Sequence, residues 1–172
     1  MKSLIKILFS FFILFALGQN AHAQTAKQVK QAKEAAAVKE LVESQNFVFQ
    51  ANYMYPMGGG QRYLNVSYYD LEVGKDTVTA FLPYFGVAYS GAGYNNSEDN
   101  GIKFTSTKFS YDKVVKSNGT SVITIKPQDT RTTNQMIMTV SPNGRADLSV
   151  ISNNRQRIRF DGIIKQKAKT KK

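Results

Sequence analysis

Aromatic residues and glycines are concentrated in two segments of this 172-residue sequence, and these side chains are well suited to hold a ligand. Residues 53–63 read YMYPMGGGQRY, and residues 82–94 read LPYFGVAYSGAGY. Tyrosine offers a flat apolar face with a polar tip, and glycine lets the backbone approach a bound molecule closely. The candidate ligand-binding residues are Tyr55, Arg62, Tyr63, Tyr84, Phe85, Tyr89 and Tyr94. They predict a small apolar or glycan ligand, with Arg62 orienting an anionic group; alternatively, they only cover the end of a β fold.

Few of the remaining residues commonly carry catalysis. The chain has no Cys and no Trp, and its one histidine, His22, lies in a segment that we expect to be removed. This composition excludes thiol nucleophiles, Cys/His zinc sites, Ser-His-Asp triads and disulfides. A carboxylate hydrolase is the alternative, using Asp70 and Glu72 on one strand face or Glu98 and Asp99 in a long loop. We predict a protein that is not an enzyme and that uses no metal or cofactor.

Three arginines alternate near the C-terminus at positions 155, 157 and 159. On a strand, alternate side chains lie on one face about 6.6 Å apart, so this row could grip a carboxylate, phosphate or sulfate. The alternative is an outward face on which the arginines are hydrated or pair with acids of a neighbouring strand, such as Asp147.

The N-terminus has the layout of a secretory signal. Lys2 and Lys6 precede an apolar run at residues 7–17, and Ala21-His22-Ala23 supplies small residues at the cleavage positions. The run is too short for a membrane anchor, which needs about 20 apolar residues. We therefore expect residues 1–23 to be a signal peptide cleaved after Ala23, with no transmembrane anchor, and a periplasmic or secreted product.

The formal net charge of +11 owes much to the C-terminus, where residues 165–172 read KQKAKTKK. Such a like-charge run predicts a basic disordered tail. Lys165–Lys172 could adhere to an anionic envelope polymer, or the tail could simply be hydrated and favour solubility. No nucleic-acid-binding motif is present, so we expect no nucleic-acid partner.

One helix is predicted before the β-rich body. Residues 24–45 are rich in Ala, Lys, Glu and Gln and contain no Gly or Pro, which favours a helix. Val38, Leu41 and Val42 form an apolar stripe on its last turns only. Asn46 is the expected stop.

From residue 46 the apolar period changes to two, which is typical of strands. Asn-Gly dipeptides at 118–119 and 143–144 indicate hairpins. The predicted strands are residues 47–53, 63–73, 77–84, 102–115, 120–126, 135–140, 145–152 and 155–164. We predict an all-β fold with one N-terminal helix, in which residues 46–164 form an eight-stranded antiparallel up-and-down barrel, lipocalin-like or partly open. A half-open sheet curled around the helix is the competing arrangement.

Two predicted strands change the face that carries their apolar residues, at Tyr68-Tyr69 and between Phe104 and Phe109. Such a change requires a bulge, or apolar surroundings on both faces. In an up-and-down barrel alternate connections lie at the same end. The short connections at residues 74–76, 117–119 and 141–144 should therefore share one end, and the longer ones at 54–62, 85–101 and 127–134 the other.

Two stretches resemble a known family. Residues 82–104 (LPYFGVAYSGAG…GIKF) and 143–164 (NGRADLSVISNNRQRIRFDGII) are similar to the domain-of-unknown-function family 4251, whose members are exported proteins common in Bacteroidota. The resemblance covers residues 40–164 and leaves out the lysine tail. It implies a small secreted β-rich domain behind a signal peptide, and it brings no activity, ligand or site residues.

Together these features predict a non-enzymatic exported protein of the cell envelope that binds its ligand at a Tyr/Gly-rich barrel mouth. The alternative function is a structural or interaction module whose barrel is filled by side chains. Its partner would be another envelope protein or an anionic polymer.

Overall fold

A helix followed by ten strands makes up the part of the chain that the computed structural model describes, residues 26–65, 67–86 and 101–167. The helix, α1, covers residues 26–44. The strands are β1 (Phe47–Pro56), β2 (Arg62–Tyr63), β3 (Asp70–Val73), β4 (Val78–Leu82), β5 (Ile102–Ser106), β6 (Phe109–Val115), β7 (Ser121–Pro127), β8 (Thr133–Val140), β9 (Arg145–Ser152) and β10 (Ile158–Gln166). The predicted signal peptide and residues 168–172 of the predicted tail lie outside the described residues.

The sheet is antiparallel throughout, with the order β5-β4-β3-β1-β10-β9-β8-β7-β6, and β2 pairs with β1 beside this path. The edge strands β5 and β6 are the first and ninth of an antiparallel series, so they run in the same direction. Thr107 and Lys108 alone separate them along the chain. Strand β6 therefore continues from β5 through a bend, and the sheet is nearly closed into a barrel. The predicted up-and-down barrel with one N-terminal helix is confirmed.

The strand count is ten rather than the predicted eight. The predicted strand 63–73 is divided into β2 and β3, and the predicted strand 102–115 is divided into β5 and β6. Both divisions fall where the apolar residues change face along the sequence. A strand that must present its apolar side chains to one interior cannot pass such a point without a break in its pairing.

The interior of the barrel is filled by large apolar side chains. Twelve of them are less than 2% exposed: Phe47, Phe49, Met54, Leu71, Leu82, Ile123, Ile125, Met136, Met138, Leu148, Ile158 and Phe160. Full burial of one such side chain stabilises the fold by about 1.5–3 kcal/mol. The described side chains thus form a packed core inside the barrel.

Helix α1 joins this core through its last turns, as its apolar stripe predicts. Val42 is buried, and Val38 and Leu41 pack against the core. The Tyr111 hydroxyl on β6 donates a hydrogen bond to the Val42 carbonyl oxygen at 3.2 Å. Burial raises the pKa of Tyr111 to about 12. The helix is therefore fastened to β6, near the end of the barrel that has the short turns.

Both Asn-Gly dipeptides form hairpin turns, as predicted. Gly119 lies between β6 and β7, Gly144 lies between β8 and β9, and each has φ +79°, a left-handed conformation that glycine adopts without strain. The side-chain oxygens of Asn118 and Asn143 each accept a backbone N–H bond from the residue two positions later. These local hydrogen bonds explain why the turns could be recognised from sequence.

A β-bulge shifts the register of β1 against β10. Ala51 pairs with Gly162 and Tyr53 pairs with Asp161, so Asn52 is an extra residue on β1. The backbones come so close here that a Cβ added to Gly162 would overlap the carbonyl oxygen of Gln50. Beyond the bulge the faces are exchanged, so Met54 is buried while Tyr53 is exposed.

We predict that Gly162→Ala destabilises the protein, because the added methyl group must displace backbone at the bulge. The free energy of unfolding should fall by about 1–3 kcal/mol or more, as measured by denaturant titration. Gly60→Ala is the control, since a Cβ there would meet no atom within 4 Å. Equal denaturation midpoints for the two variants would contradict this prediction, because they would show that the backbone at the bulge accommodates the methyl group without loss of stability.

The bend between β5 and β6 is held by one carboxylate, that of Asp129 in the β7–β8 connection. Its Oδ1 atom accepts a hydrogen bond from Ser106 Oγ at 2.5 Å. Its Oδ2 atom accepts the backbone N–H groups of Thr107 at 2.9 Å and Lys108 at 3.2 Å. These bonds, chiefly that from Ser106, lower the pKa of Asp129 to about 2 from its ordinary 3.8. Asp129 therefore ties the two edges of the sheet together as a charged acceptor.

We predict that the stabilisation from the hydrogen bonds of the Asp129 carboxylate is lost in acid. A carboxylate with a depressed pKa stabilises the fold above about pH 4, and the contribution disappears as the pH falls to about 2. Asp129→Asn should therefore lower the thermal unfolding midpoint near neutral pH, and its difference from the wild type should shrink between these pH values. Asp112→Asn is the control, because Asp112 is an exposed residue on β6. A difference that does not change with pH would contradict the role of the Asp129 charge.

Candidate functional site

The longer connections meet at one end of the barrel, which we call the mouth. The guanidinium carbon of Arg62, after the β1–β2 connection, lies 4.8 Å from the centre of the Phe85 ring, after β4. Arg155, in the β9–β10 connection, donates from Nη1 to the Gly101 carbonyl oxygen at 3.1 Å. Three connections that are far apart in sequence are thus in direct contact.

Tyr84 and Phe85 have different environments at the mouth. Tyr84 is 8% exposed, its hydroxyl donates to the Gln156 carbonyl oxygen at 3.1 Å, and the Arg155 guanidinium lies 5.0 Å from its ring centre. Phe85 is 48% exposed. Tyr84 thus packs within the mouth and stabilises it, whereas the Phe85 ring and the Arg62 side chain are accessible to solvent.

Two buried polar atoms near the mouth have no hydrogen-bond partner among the described residues. They are Gln156 Oε1, in the β9–β10 connection, and Thr133 Oγ1, at the start of β8. Thr133 pairs with Ser152 in the ladder, next to the same connection. Buried polar groups in folded proteins are nearly always paired, so these two atoms are exceptions within the described part of the chain.

Tyr55 and Tyr63 lie on the outer face of the barrel instead. The Tyr63 ring is 5.2 Å from that of Tyr53, its ladder partner. The Tyr55 hydroxyl donates to Asp161 Oδ2 at 2.8 Å. This position follows from the bulge at Asn52, which exchanges the faces of β1. Of the other predicted site residues, Tyr89 and Tyr94 lie outside the described residues.

Two acids meet on the outer face, and sequence reasoning did not find this pair. Asp147 on β9 and Asp161 on β10 are ladder partners. Arg159 Nε lies 3.0 Å from Asp147 Oδ2, and its guanidinium lies 4.3 Å from the Tyr55 ring centre. Burial, together with the hydrogen bond and charge of Asp161, raises the pKa of Asp147 despite Arg159. The carboxylate of Asp161 raises the pKa of Tyr55.

Arg155, Arg157 and Arg159 do not converge on one binding position, because each has a different partner. Arg159 pairs with Asp147, which is the alternative predicted from the sequence, and Arg157 Nε donates to Ser149 Oγ. Arg155 turns to the mouth. The ladder breaks before β10 begins at Ile158, so alternation along one strand does not extend to Arg155.

The remaining candidates lie elsewhere. Asp70 and Glu72 are on the outer face of β3, where Glu72 Oε2 is 2.6 Å from Lys167 Nζ. Burial and the charge of Glu72 raise the pKa of Asp70. Lys165 Nζ donates to Gln50 Oε1 at 2.5 Å, so the first lysines of the predicted tail belong to the folded body. Glu98 and Asp99 lie outside the described residues, which contain no group of three or more potential His, Asp or Glu metal ligands.

Fold and surface together define a small β-barrel domain with a filled interior, a helix near one end and polar-aromatic groups at the other. The chain belongs to the family described as a domain of unknown function (DUF4251), whose model matches residues 29–164. This confirms the family resemblance found in the sequence.

A solved structure of similar fold is the 1.95 Å crystal structure of a DUF4251 family protein from Bacteroides eggerthii DSM 20697. It is 16% identical in sequence, the match covers 79% of this chain and 91% of that one, and the TM-score is 0.58. At this identity the likeness concerns the fold alone. No curated protein matches this sequence. Across residues 26–65, 67–86 and 101–167, no helix is long and apolar enough to cross a membrane.

Proposed function

We propose that this chain is a non-enzymatic exported protein of the cell envelope that binds a glycan at the mouth of its barrel. The observation that carries the proposal is the combination at the mouth of an exposed ring, Phe85, with the Arg62 guanidinium above it. An aromatic face can stack on a sugar ring, and a guanidinium donates several hydrogen bonds to hydroxyl or carboxylate oxygens.

The filled interior favours a glycan over a small apolar ligand. An apolar ligand gains affinity mainly from burial in an enclosed cavity, at about 25 cal/mol per Å² of apolar surface. In the described part of the barrel that space is occupied by Phe49, Phe160 and the other core side chains. A glycan can instead lie across the surface of the mouth, over the exposed Phe85 ring and beside the Arg62 guanidinium.

The proposal of export rests on the N-terminal sequence. We expect the protein in the periplasm or the medium to begin at Gln24, because cleavage would follow Ala23. Intact-mass spectrometry of protein recovered from these fractions measures this directly. Full-length protein confined to the cytoplasm or retained in the membrane would contradict it.

The glycan proposal predicts that removal of the exposed mouth ring weakens binding. The exported protein should bind members of an array of neutral, amino-sugar and acidic oligosaccharides. Phe85→Ala should raise the Kd of the best of them by about tenfold, which corresponds to the loss of one stacking contact. Calorimetric titration provides the measurement.

Val114→Ala is the matched control, because Val114 is 64% exposed but lies on β6 towards the opposite end of the barrel. Its Kd should equal that of the wild type. Binding to no oligosaccharide, or an equal loss in both variants, would reject the mouth as a glycan site. A lipid-sized molecule that co-purifies with the protein in native mass spectrometry would support the apolar ligand instead.

A further inference from the structure

The outer face of the barrel contains a depression that shares no lining residue with the mouth contacts. Its volume is about 440 Å³, within the range of small-molecule sites, and it lies over β1, β9 and β10 beside the end of β8. The bulge residue Asn52 and the neighbouring Tyr53 form part of its wall. Bulges commonly occur beside functional sites, where they redirect a side chain. We call this depression the bulge pocket.

The negative side of the bulge pocket is the acid pair Asp147 and Asp161. Each acid already has one protein partner, since Asp147 Oδ2 is bound to Arg159 and Asp161 Oδ2 to Tyr55. Two carboxylates at opposed positions of adjacent strands repel each other. A protonated amine bound beside the pair would relieve this repulsion, and the Tyr53 ring, which also lines the pocket, can face a cation.

The positive side of the bulge pocket is Arg145. It precedes Asp147 by two residues on β9, so both side chains project from the same face with a separation of about 6.6 Å along the strand. Arg145 is exposed and forms no ion pair with any residue that the structure describes. Its planar guanidinium matches a carboxylate in two-point geometry.

We propose that the bulge pocket binds a compact zwitterion of the α-amino acid type, with its ammonium group at Asp147 and Asp161 and its carboxylate at Arg145. A ligand with both charges fits better than a simple cation, which Arg145 would repel, or a simple anion, which the two acids would repel. Asn52 supplies a further amide donor and acceptor. This site is independent of the proposed glycan site, because it shares no residue with Arg62, Tyr84 or Phe85.

The test is an NMR titration of the full exported protein with a mixture of the proteinogenic α-amino acids. The backbone amide signals of Asn52, Arg145 and Asp161 should shift with saturation, and the best amino acid is then compared with two analogues. One is the amine that lacks the carboxylate, and the other is the acid that lacks the amine. Each analogue should bind about tenfold more weakly or worse, since it forfeits one charge-assisted contact.

Two variants assign the charges. Arg145→Gln should abolish the preference for the amino acid over its amine analogue, and Asp161→Asn should abolish the preference over its acid analogue. Arg131→Gln and Asp112→Asn, both at exposed positions, are the matched controls and should change nothing. Because Arg145 is exposed, its variant tests the site even if Asp161→Asn perturbs the fold through Tyr55.

Three results would overturn the proposal: no saturable shift at Asn52, Arg145 or Asp161, equal binding of the amine analogue, or displacement of the amino acid by a neutral sugar. The last result would instead assign the bulge pocket to glycan recognition. The glycan titration of Phe85→Ala is unaffected by any of these outcomes, so the two proposals fail separately.

Discussion

The carboxylate of Asp129 binds three consecutive residues, Ser106 to Lys108, at the point where the two edges of the sheet meet. A long antiparallel sheet exposes unpaired backbone at both edges, and closure is how a barrel avoids this. Here β5 and β6 are successive segments of one bent path, so the bend must be held in place for the sheet to remain nearly closed. A charged acceptor is suited to this task because one carboxylate can bind several donors at once.

The near closure of the sheet into a barrel determines which surfaces remain for ligand binding. In the described part of the barrel, large side chains such as Phe47, Phe49 and Phe160 occupy the inside, and the two proposed binding surfaces lie at the mouth and on the outer face. These two surfaces differ in character. At the mouth an exposed ring lies beside cationic side chains and buried acceptors, whereas the bulge pocket opposes two acids to one arginine. Such differences suit ligands of different chemistry on one rigid scaffold.

A single extra residue, Asn52, separates these surfaces. It exchanges the faces of β1, which sends Met54 into the core and places Tyr53 and Tyr55 outside with Asp161. Gly162 permits this by leaving room for the Gln50 carbonyl group. The bulge therefore contributes both to the stability of the fold and to the shape of the bulge pocket. Gly162 allows the close approach of β1, and the bulge residue Asn52 and its neighbour Tyr53 form part of the pocket wall.

The sequence by itself determined the helix, the antiparallel barrel, both Asn-Gly hairpins and the changes of apolar face at residues 68–69 and 104–109, although it predicted an unbroken strand across each of these two points. These depend on local periodicity and on turn residues whose preferences act over a few positions. It also indicated that Tyr84, Phe85 and Arg62 lie on connections at one end. Only the tertiary structure decided that Tyr55 and Tyr63 face outward, that Arg155 leaves its row, and that Asp147 meets Asp161. Those outcomes depend on strand register, which a one-residue bulge reverses and which only long-range pairing sets.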